Sequence, residues 1–347
     1  MEGSAGVSAP APEDRTGPSA WRPVDRGWVT ADVDGIAVFV EKVPGRGEDA
    51  PPLHLVDPAL GWRLLGAFDG LGGAGAARRV VGGVEYTEAF AAARLARAVV
   101  QLAGSRSAHA GDVDVQRWLA RALEVFDVRN PAVDGVRVKG RMRRCLPTTL
   151  VTLEVRSEGR RNHLRARWTG DSRALVLRPD VGLQALTEDH VRNPDPLVQL
   201  VNDGPLANVV SRSDDFVVSC RRVAVDGPCL VLVATDGVFG YVRTPGELEH
   251  HLLDTLCVSS DASSWAELLA ARISGYTGDD ATLALAFVGF DDFDEVRRAF
   301  EQRSAAVRRD QFEPMERAVG PEAARAARAH AWERYAPTYE ELLAPVG

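Results

Sequence analysis

Apolar and polar positions change period several times along this chain. Apolar residues that alternate with polar ones, or fill short runs between turn residues, predict strands at 36–41, 62–68, 148–155, 164–168, 173–177, 216–225, 230–234 and 281–288. Apolar residues three and four positions apart predict helices at 74–81, 85–102, 113–128, 245–256 and 264–273. Several strands follow one another without a helix between them, which favours antiparallel hairpins over parallel crossovers and gives an α+β class. Beyond Phe290 the spacing is helical: Phe293, Val296, Phe300 and Val307 share a face, and Asp292 with Glu295 forms a capping-box pattern. Gly320-Pro321 opens a second, Ala-rich helix that reaches Trp332, Tyr335 and Tyr339. This pair reads as a helical extension docked on the main domain, with a partner-binding arm as the alternative.

Three segments follow from these patterns. Residues 1–20 are rich in Pro, Ala, Gly and Ser and predict a disordered leader; 21–290 form the catalytic domain; 291–347 form the helical C-terminal extension. A 347-residue chain that is 45% hydrophobic can bury one large core. Its net charge of −8 argues against gripping nucleic acid through a basic surface. Four cysteines, Cys145, Cys220, Cys229 and Cys257, form no CxxC pair, so neither zinc nor redox chemistry is indicated. The apolar runs are far shorter than the roughly 20 residues a membrane helix needs, and no secretory signal is visible, which predicts a cytoplasmic protein.

The chemistry lies in repeated local designs. Leu64-Leu65-Gly66-Ala67-Phe68-Asp69-Gly70 and Leu230-Val231-Leu232-Val233-Ala234-Thr235-Asp236-Gly237 each run an apolar strand straight into Asp-Gly. Asp-Gly alone is an ordinary turn, but a rigid strand preorganises the carboxylate at its end, and the glycine allows close approach. Asp171, in a turn between two strands, and Asp279, just before the last strand, have comparable settings. Carboxylates on one rim, with no His or Cys, select Mg²⁺ or Mn²⁺ over zinc. A pair of such ions makes water nucleophilic and clamps phosphate oxygens, so phosphate-ester hydrolysis follows without a Ser, Cys or His nucleophile.

Seven segments, in order, resemble the type 2C metal-dependent Ser/Thr protein phosphatases, in their bacterial form. They are Gly47-Glu48-Asp49-Ala50, Phe68-Asp69-Gly70-Leu71-Gly72-Gly73, Thr148-Thr149-Leu150, Gly170-Asp171-Ser172-Arg173-Ala174, Leu186-Thr187-Glu188-Asp189-His190, Ala234-Thr235-Asp236-Gly237-Val238 and Asp279-Asp280-Ala281-Thr282-Leu283. The resemblance implies a sandwich of two antiparallel β-sheets flanked by helices on both sides, and hydrolysis of phosphoserine or phosphothreonine in proteins. It implies two Mn²⁺ or Mg²⁺ ions per site, with a third in some members. Asp69 would bridge the two metals and the Gly70 carbonyl would ligate one. Asp236 and Asp279 would complete the other shell, Glu48 and Asp49 would ligate directly or through water, and Asp171 with Asp236 would hold the third ion. Asp69, Asp236 and Asp279 are the catalytic set. His190 would be structural, and a Ser/Thr kinase acting on the same phosphoprotein is the implied counterpart.

Departures accompany the resemblance. Pro44 stands where the family carries a phosphate-binding Arg, leaving Arg46 or Lys42 as substitutes. Leu71 stands where some members have a general-acid His, Pro147 replaces a Gly, and Asp280 replaces an Asn. Pro44 and Pro147 motivate an alternative: a catalytically weak binding module for a phosphoprotein or kinase. Gly70-Leu71-Gly72-Gly73-Ala74-Gly75 also fits a dinucleotide-binding GxGxxG, but the window about 20 residues on is helical and lacks the required acid.

Overall fold

The computed structural model describes residues 21–110, 113–133, 144–191 and 206–344; the predicted leader at 1–20 lies outside them. Fourteen strands are described: β1 (Arg22–Val24), β2 (Gly27–Ala31), β3 (Gly35–Val40), β4 (Leu53–Asp57), β5 (Trp62–Ala67), β6 (Arg78–Val81), β7 (Val84–Thr87), β8 (Leu150–Glu158), β9 (Arg161–Thr169), β10 (Arg173–Arg178), β11 (Gly182–Ala185), β12 (Ser219–Asp226), β13 (Cys229–Ala234) and β14 (Ala281–Val288). They build a seven-stranded sheet in the order β1-β2-β3-β14-β13-β10-β11 and a five-stranded sheet in the order β12-β9-β8-β5-β4, with β6 and β7 as a separate ribbon. Every pairing is antiparallel, as the hairpin-like spacing predicts.

Strand periodicity explains how the layers stack. In β13, Leu230, Leu232 and Ala234 face the helices, while Cys229, Val231 and Val233 face the other sheet. In β14, Leu283, Leu285 and Phe287 take the helical side, and the small Ala284 and Ala286 take the inter-sheet side. Both strands are buried throughout, which is why each reads as an unbroken apolar run. Helices Pro245–Val258, Ala262–Tyr276, Phe293–Val307 and Pro321–Tyr339 cover the seven-stranded sheet. Helices Glu88–Ala110 and Val115–Arg129 pack on the outer side of β4 and β5. The result is an αββα sandwich, and no described helix is long and apolar enough to cross a membrane.

The C-terminal helices close on the sandwich through a buried polar knot. Glu249 is fully buried, accepts from Arg303 Nη2 at 2.8 Å and receives the Tyr335 hydroxyl. Gln184 of β11 donates to Glu341 at 2.7 Å.

One expected element is wrong. The helix predicted at 74–81 is instead a turn and loop at 74–77 followed by β6, the first strand of the hairpin β6–β7, which turns at Gly82 and Gly83 with φ of 59° and 85°. A Gly-Gly pair supplies the left-handed conformations a tight hairpin needs, and this outweighs the helix-forming Ala and Arg before it. Arg79 of β6 is 2% exposed and pairs with Glu88 at 2.7 Å and Asp127 at 2.8 Å, tying the ribbon to both helices of that layer. The short strands β1, β2, β4 and β11 also lie outside the predicted set.

Candidate active site

The sandwich brings the strand-end acids to one end. Asp69 follows β5, Asp236 follows β13, Asp279 precedes β14, and Asp171 sits in the turn from β9 to β10. Glu48 and Asp49 come from the loop between β3 and β4. Register explains the convergence: Ala67 pairs with Val151 of β8, Leu150 with Thr169, Arg173 with Ala234, and Ala281 with Val40. These pairs place the relevant strand termini side by side.

The carboxyls burden one another. Asp69 is held well above the usual carboxylate range, first by burial and then by Asp236, Asp49 and Asp171. Asp49, only 2% exposed, is pushed up to about 8 by burial and by Asp280 and Asp236, while the hydroxyls of Thr282 and Thr235 pull it back. Both hydroxyls donate to its Oδ2 at 2.9 Å. Burial and Asp236 also raise Asp171. Burial raises Glu48, with the Thr87 hydroxyl opposing and Asp280 and Asp279 adding to the rise. Acids that suppress one another's ionisation gain most from a cation among them.

The donor set fits Mg²⁺ or Mn²⁺. No His or Cys lines the cleft among the described residues, and Asp171 Oδ1 is buried without a hydrogen-bond partner. As the side chains stand, no three of the described acids form a ready chelate.

Neighbouring residues hold the acids in place, Thr87 and Arg94 among them being ones the sequence reading missed. The Thr148 hydroxyl donates to the Asp69 carbonyl at 2.6 Å, and the Thr149 N–H donates to it at 2.9 Å. Thr87, at the end of the corrected hairpin, donates to Glu48 Oε1 at 2.6 Å. Arg94 lies behind the cluster and donates to the Glu48 carbonyl at 3.3 Å; burial lowers its pKa to about 10 against the pull of Asp49, Glu41 and Asp280. Asp280 accepts from Lys42 N at 2.8 Å and Glu48 N at 2.7 Å, one on each carboxylate oxygen. A Cβ on Gly237 would stand 1.8 Å from the Asp280 carbonyl oxygen, so that position admits glycine alone. His190 lies away from the cleft: its Nδ1 accepts from Gly170 N at 3.2 Å and its ring stacks on Trp168, bracing the turn that carries Asp171.

The cleft has a volume of about 1080 Å³, lined among others by Glu48, Asp69, Gly70, Asp236 and Asp279. Asp49 and Asp171 lie behind this lining. Lys42 and Arg46 stand exposed at its rim, with Lys42 Nζ 3.8 Å from Asp279 Oδ1. Arg144 faces them across the opening, anchored to Asp214 at 3.4 Å and to the Leu206 carbonyl at 3.1 Å. No motif singles out Arg144, because only the tertiary fold brings it to the rim.

No protein-family model matches the chain, and no curated protein matches its sequence. Solved structures do match. The serine/threonine phosphatase Stp1 from Staphylococcus aureus superposes with a TM-score of 0.51 at 14% identity, over 77% of this chain and 98% of that one. A variant of a bacterial serine phosphatase superposes with a TM-score of 0.50 at 15% identity, over 74% of this chain and 98% of that one. The catalytic domain of the phosphatase PstP, in complex with 2 manganese ions, matches at a TM-score of 0.46 and 16% identity, over 73% and 96% of the two chains. Both sheets, their helical layers and the first two superpositions agree: the chain has the fold of the type 2C phosphatases.

Proposed function

We propose that this chain is a metal-dependent phosphatase that hydrolyses phosphoserine or phosphothreonine in proteins. The observation that carries the reading is the gathering, at one end of the sandwich, of buried and half-buried acids that raise one another's pKa and include the unpartnered Oδ1 of Asp171. Asp69, the Gly70 carbonyl, Asp236 and Asp279 would hold two ions, with Glu48 and Asp49 as direct or water-mediated ligands. Asp171 and Asp236 would hold a third. When bound, Mn²⁺ or Mg²⁺ makes water acidic and offsets charge on phosphate oxygens.

The chain's own residues do the rest. Thr235 and Thr282 orient Asp49, and Thr148 and Thr149 fix the backbone of Asp69. Lys42 and Arg46 are assigned to the substrate phosphate. Leu71 offers no proton, so the leaving alkoxide takes one from water as the P–O bond breaks. The protein-phosphate substrate class rests on fold-level analogy with the two phosphatases of similar structure. With it come the expectations of a cytoplasmic site of action and an opposing Ser/Thr kinase.

Turnover of p-nitrophenyl phosphate and of a phosphothreonine peptide, measured with Mn²⁺ and after EDTA, tests the reading. Activity is expected only with metal, and Asp69→Asn should lower it by at least about 100-fold, the loss typical of removing one key electrostatic stabiliser. Metal-independent turnover, or an unaffected Asp69→Asn variant, would reject the assignment. A second reading, a binding module that recognises phosphoprotein without turnover, is favoured by Pro44 at the arginine position. It predicts phosphopeptide binding with no phosphate release under any metal.

A further inference from the structure

The C-terminal extension touches the back of the candidate active site. Along β10, Ala174 and Val176 face the other sheet, while Leu175 and Leu177 face the helices. By the same alternation Arg173, the first residue of β10 and two positions after Asp171, points to the helical side. Three other segments meet it there. Its Nε and Nη2 donate to the two carboxylate oxygens of Asp189 at 3.0 and 2.6 Å. Its guanidinium carbon lies 4.3 Å from the centre of the Phe239 ring, in the short helix Asp236–Phe239 that begins at Asp236. The third is Tyr339, the last residue of helix Pro321–Tyr339, whose hydroxyl accepts a hydrogen bond from the guanidinium.

Asp189 is itself held from two sides. On one side the strip 186–190 is bonded to the segment that carries Asp171. The Leu186 N–H donates to the Ala174 carbonyl at 2.9 Å, the Thr187 hydroxyl accepts from Ala174 N at 3.1 Å, and the His190 N–H donates to the Gly170 carbonyl at 2.9 Å. On the other side the end of the chain grips the same strip. Arg221 donates to the Leu343 carbonyl at 3.0 Å and, through the same guanidinium, to the Leu186 carbonyl at 3.3 Å and to Glu188 at 2.9 Å. Just before the strip, Gln184 donates to Glu341 at 2.7 Å. Covering the apolar sheet would account for the helix, and Tyr335 fits that account, with its hydroxyl on Glu249 inside the helical layer. Tyr339 does not, because a hydroxyl on Arg173 adds nothing to apolar cover that a phenyl ring would not supply.

We propose that residues 338–343 clamp the metal site and that Tyr339 is its positioning residue: by fixing Arg173 it fixes the turn of Asp171 and the helix that begins at Asp236. Arg173 suits this task, because a planar guanidinium pairs with a carboxylate in one fixed orientation and can lie over an aromatic ring at the same time. With Asp189 and Tyr339 both in place, its position between the two acid-bearing segments is set. Groups that orient a metal ligand from behind are part of the site although they never touch the ion. The inference rests on the metal-site reading proposed above, and its test is built so that the two can fail separately.

Tyr339→Phe keeps the ring and removes only the hydroxyl; Tyr335→Phe does the same one turn earlier and serves as the control. Two measurements are made on the full chain: Mn²⁺ affinity by calorimetry, and amide hydrogen exchange of peptides spanning 170–176 in EDTA, which reads the turn whether or not metal binds. Tyr339→Phe should weaken Mn²⁺ binding by about tenfold, the low end of what an outer partner of a metal ligand contributes. It should speed exchange in 170–176 by about tenfold as well, the scale of one lost hydrogen bond to a charged group. Tyr335→Phe should leave both readings at the wild-type level even where it lowers the melting temperature. A thermal melt confirms that each variant is folded, and Glu341→Ala, at the exposed end of the clamp, serves with the same expected direction if Tyr339→Phe is not. Wild-type exchange or wild-type Mn²⁺ affinity in the folded Tyr339→Phe variant would overturn the proposal, and so would equal effects of the two tyrosine variants. A wild type that binds no Mn²⁺ would refute the metal-site reading alone, and exchange then decides the clamp.

Discussion

Asp49 should make the metal-free protein lose stability as pH rises, and a single amide substitution should remove much of that loss. Its carboxyl is lifted from 3.8 to about 8, chiefly by burial. The folded, metal-free chain therefore keeps the Asp49 proton almost to pH 8, while the unfolded chain releases it near pH 4. Between those values the native state binds more protons, so the contribution to stability is complete below about pH 4. It is lost progressively as pH rises to about 8. At roughly 1.36 kcal/mol per pH unit the span amounts to about 6 kcal/mol at most, a large part of the 5–15 kcal/mol typical of a folded protein.

Asp49→Asn isolates the effect. An Asn Oδ1 can accept from both Thr235 and Thr282, which already donate to a single oxygen of Asp49, and the amide adds no charge beside Asp69. Urea unfolding of wild type and variant in EDTA, at intervals from pH 5 to 8, measures the difference directly. The variant should be more stable than wild type at pH 8 by several kcal/mol, and the gap should narrow towards pH 5. Saturating Mn²⁺ should reverse the order, because bound cations favour the ionised carboxylates. Parallel pH dependences for the two proteins in EDTA would refute the argument.

Other perturbations act on single contacts. Arg79→Ala leaves Glu88 buried and unpaired, and should lower stability by about 3–5 kcal/mol in chemical denaturation. Asp280→Asn forfeits one of the two backbone N–H bonds to its carboxylate, because an amide nitrogen cannot accept. Stability should fall by about 0.5–1.5 kcal/mol, with a larger proportional loss of Mn²⁺-dependent turnover as the 42–48 loop loosens.

The strand-end acids that meet at one end of the sandwich were legible because the backbone advertises them. Asp236 follows a wholly apolar strand and Asp69 one that is apolar apart from Arg63 and Gly66, and in each the acid marks the C-terminal end of the strand. The β6–β7 hairpin was obscured because Ala74 to Val81 has helix-forming composition, and two glycines beyond that window decide its shape. Thr87, Arg94 and Arg144 were invisible for a different reason. Each acts through contacts between segments far apart in the chain, which no local spacing encodes.

Asp280 shows both effects in one residue. In the sequence it is a departure from the family pattern. In the fold its second carboxylate oxygen accepts the Glu48 N–H while the first accepts that of Lys42. Glu41 does the same within the loop, taking the N–H of Gly45 at 2.7 Å and of Gly47 at 3.1 Å. Four backbone donors between residues 42 and 48 thus end on two carboxylates, fixing the segment that carries Lys42, Pro44 and Arg46. A rigid loop lets cations beside Pro44 meet a phosphate with little ordering loss. On the proposed reading, Lys42 and Arg46 would therefore keep positive charge at the rim, on a held frame, where Pro44 supplies none.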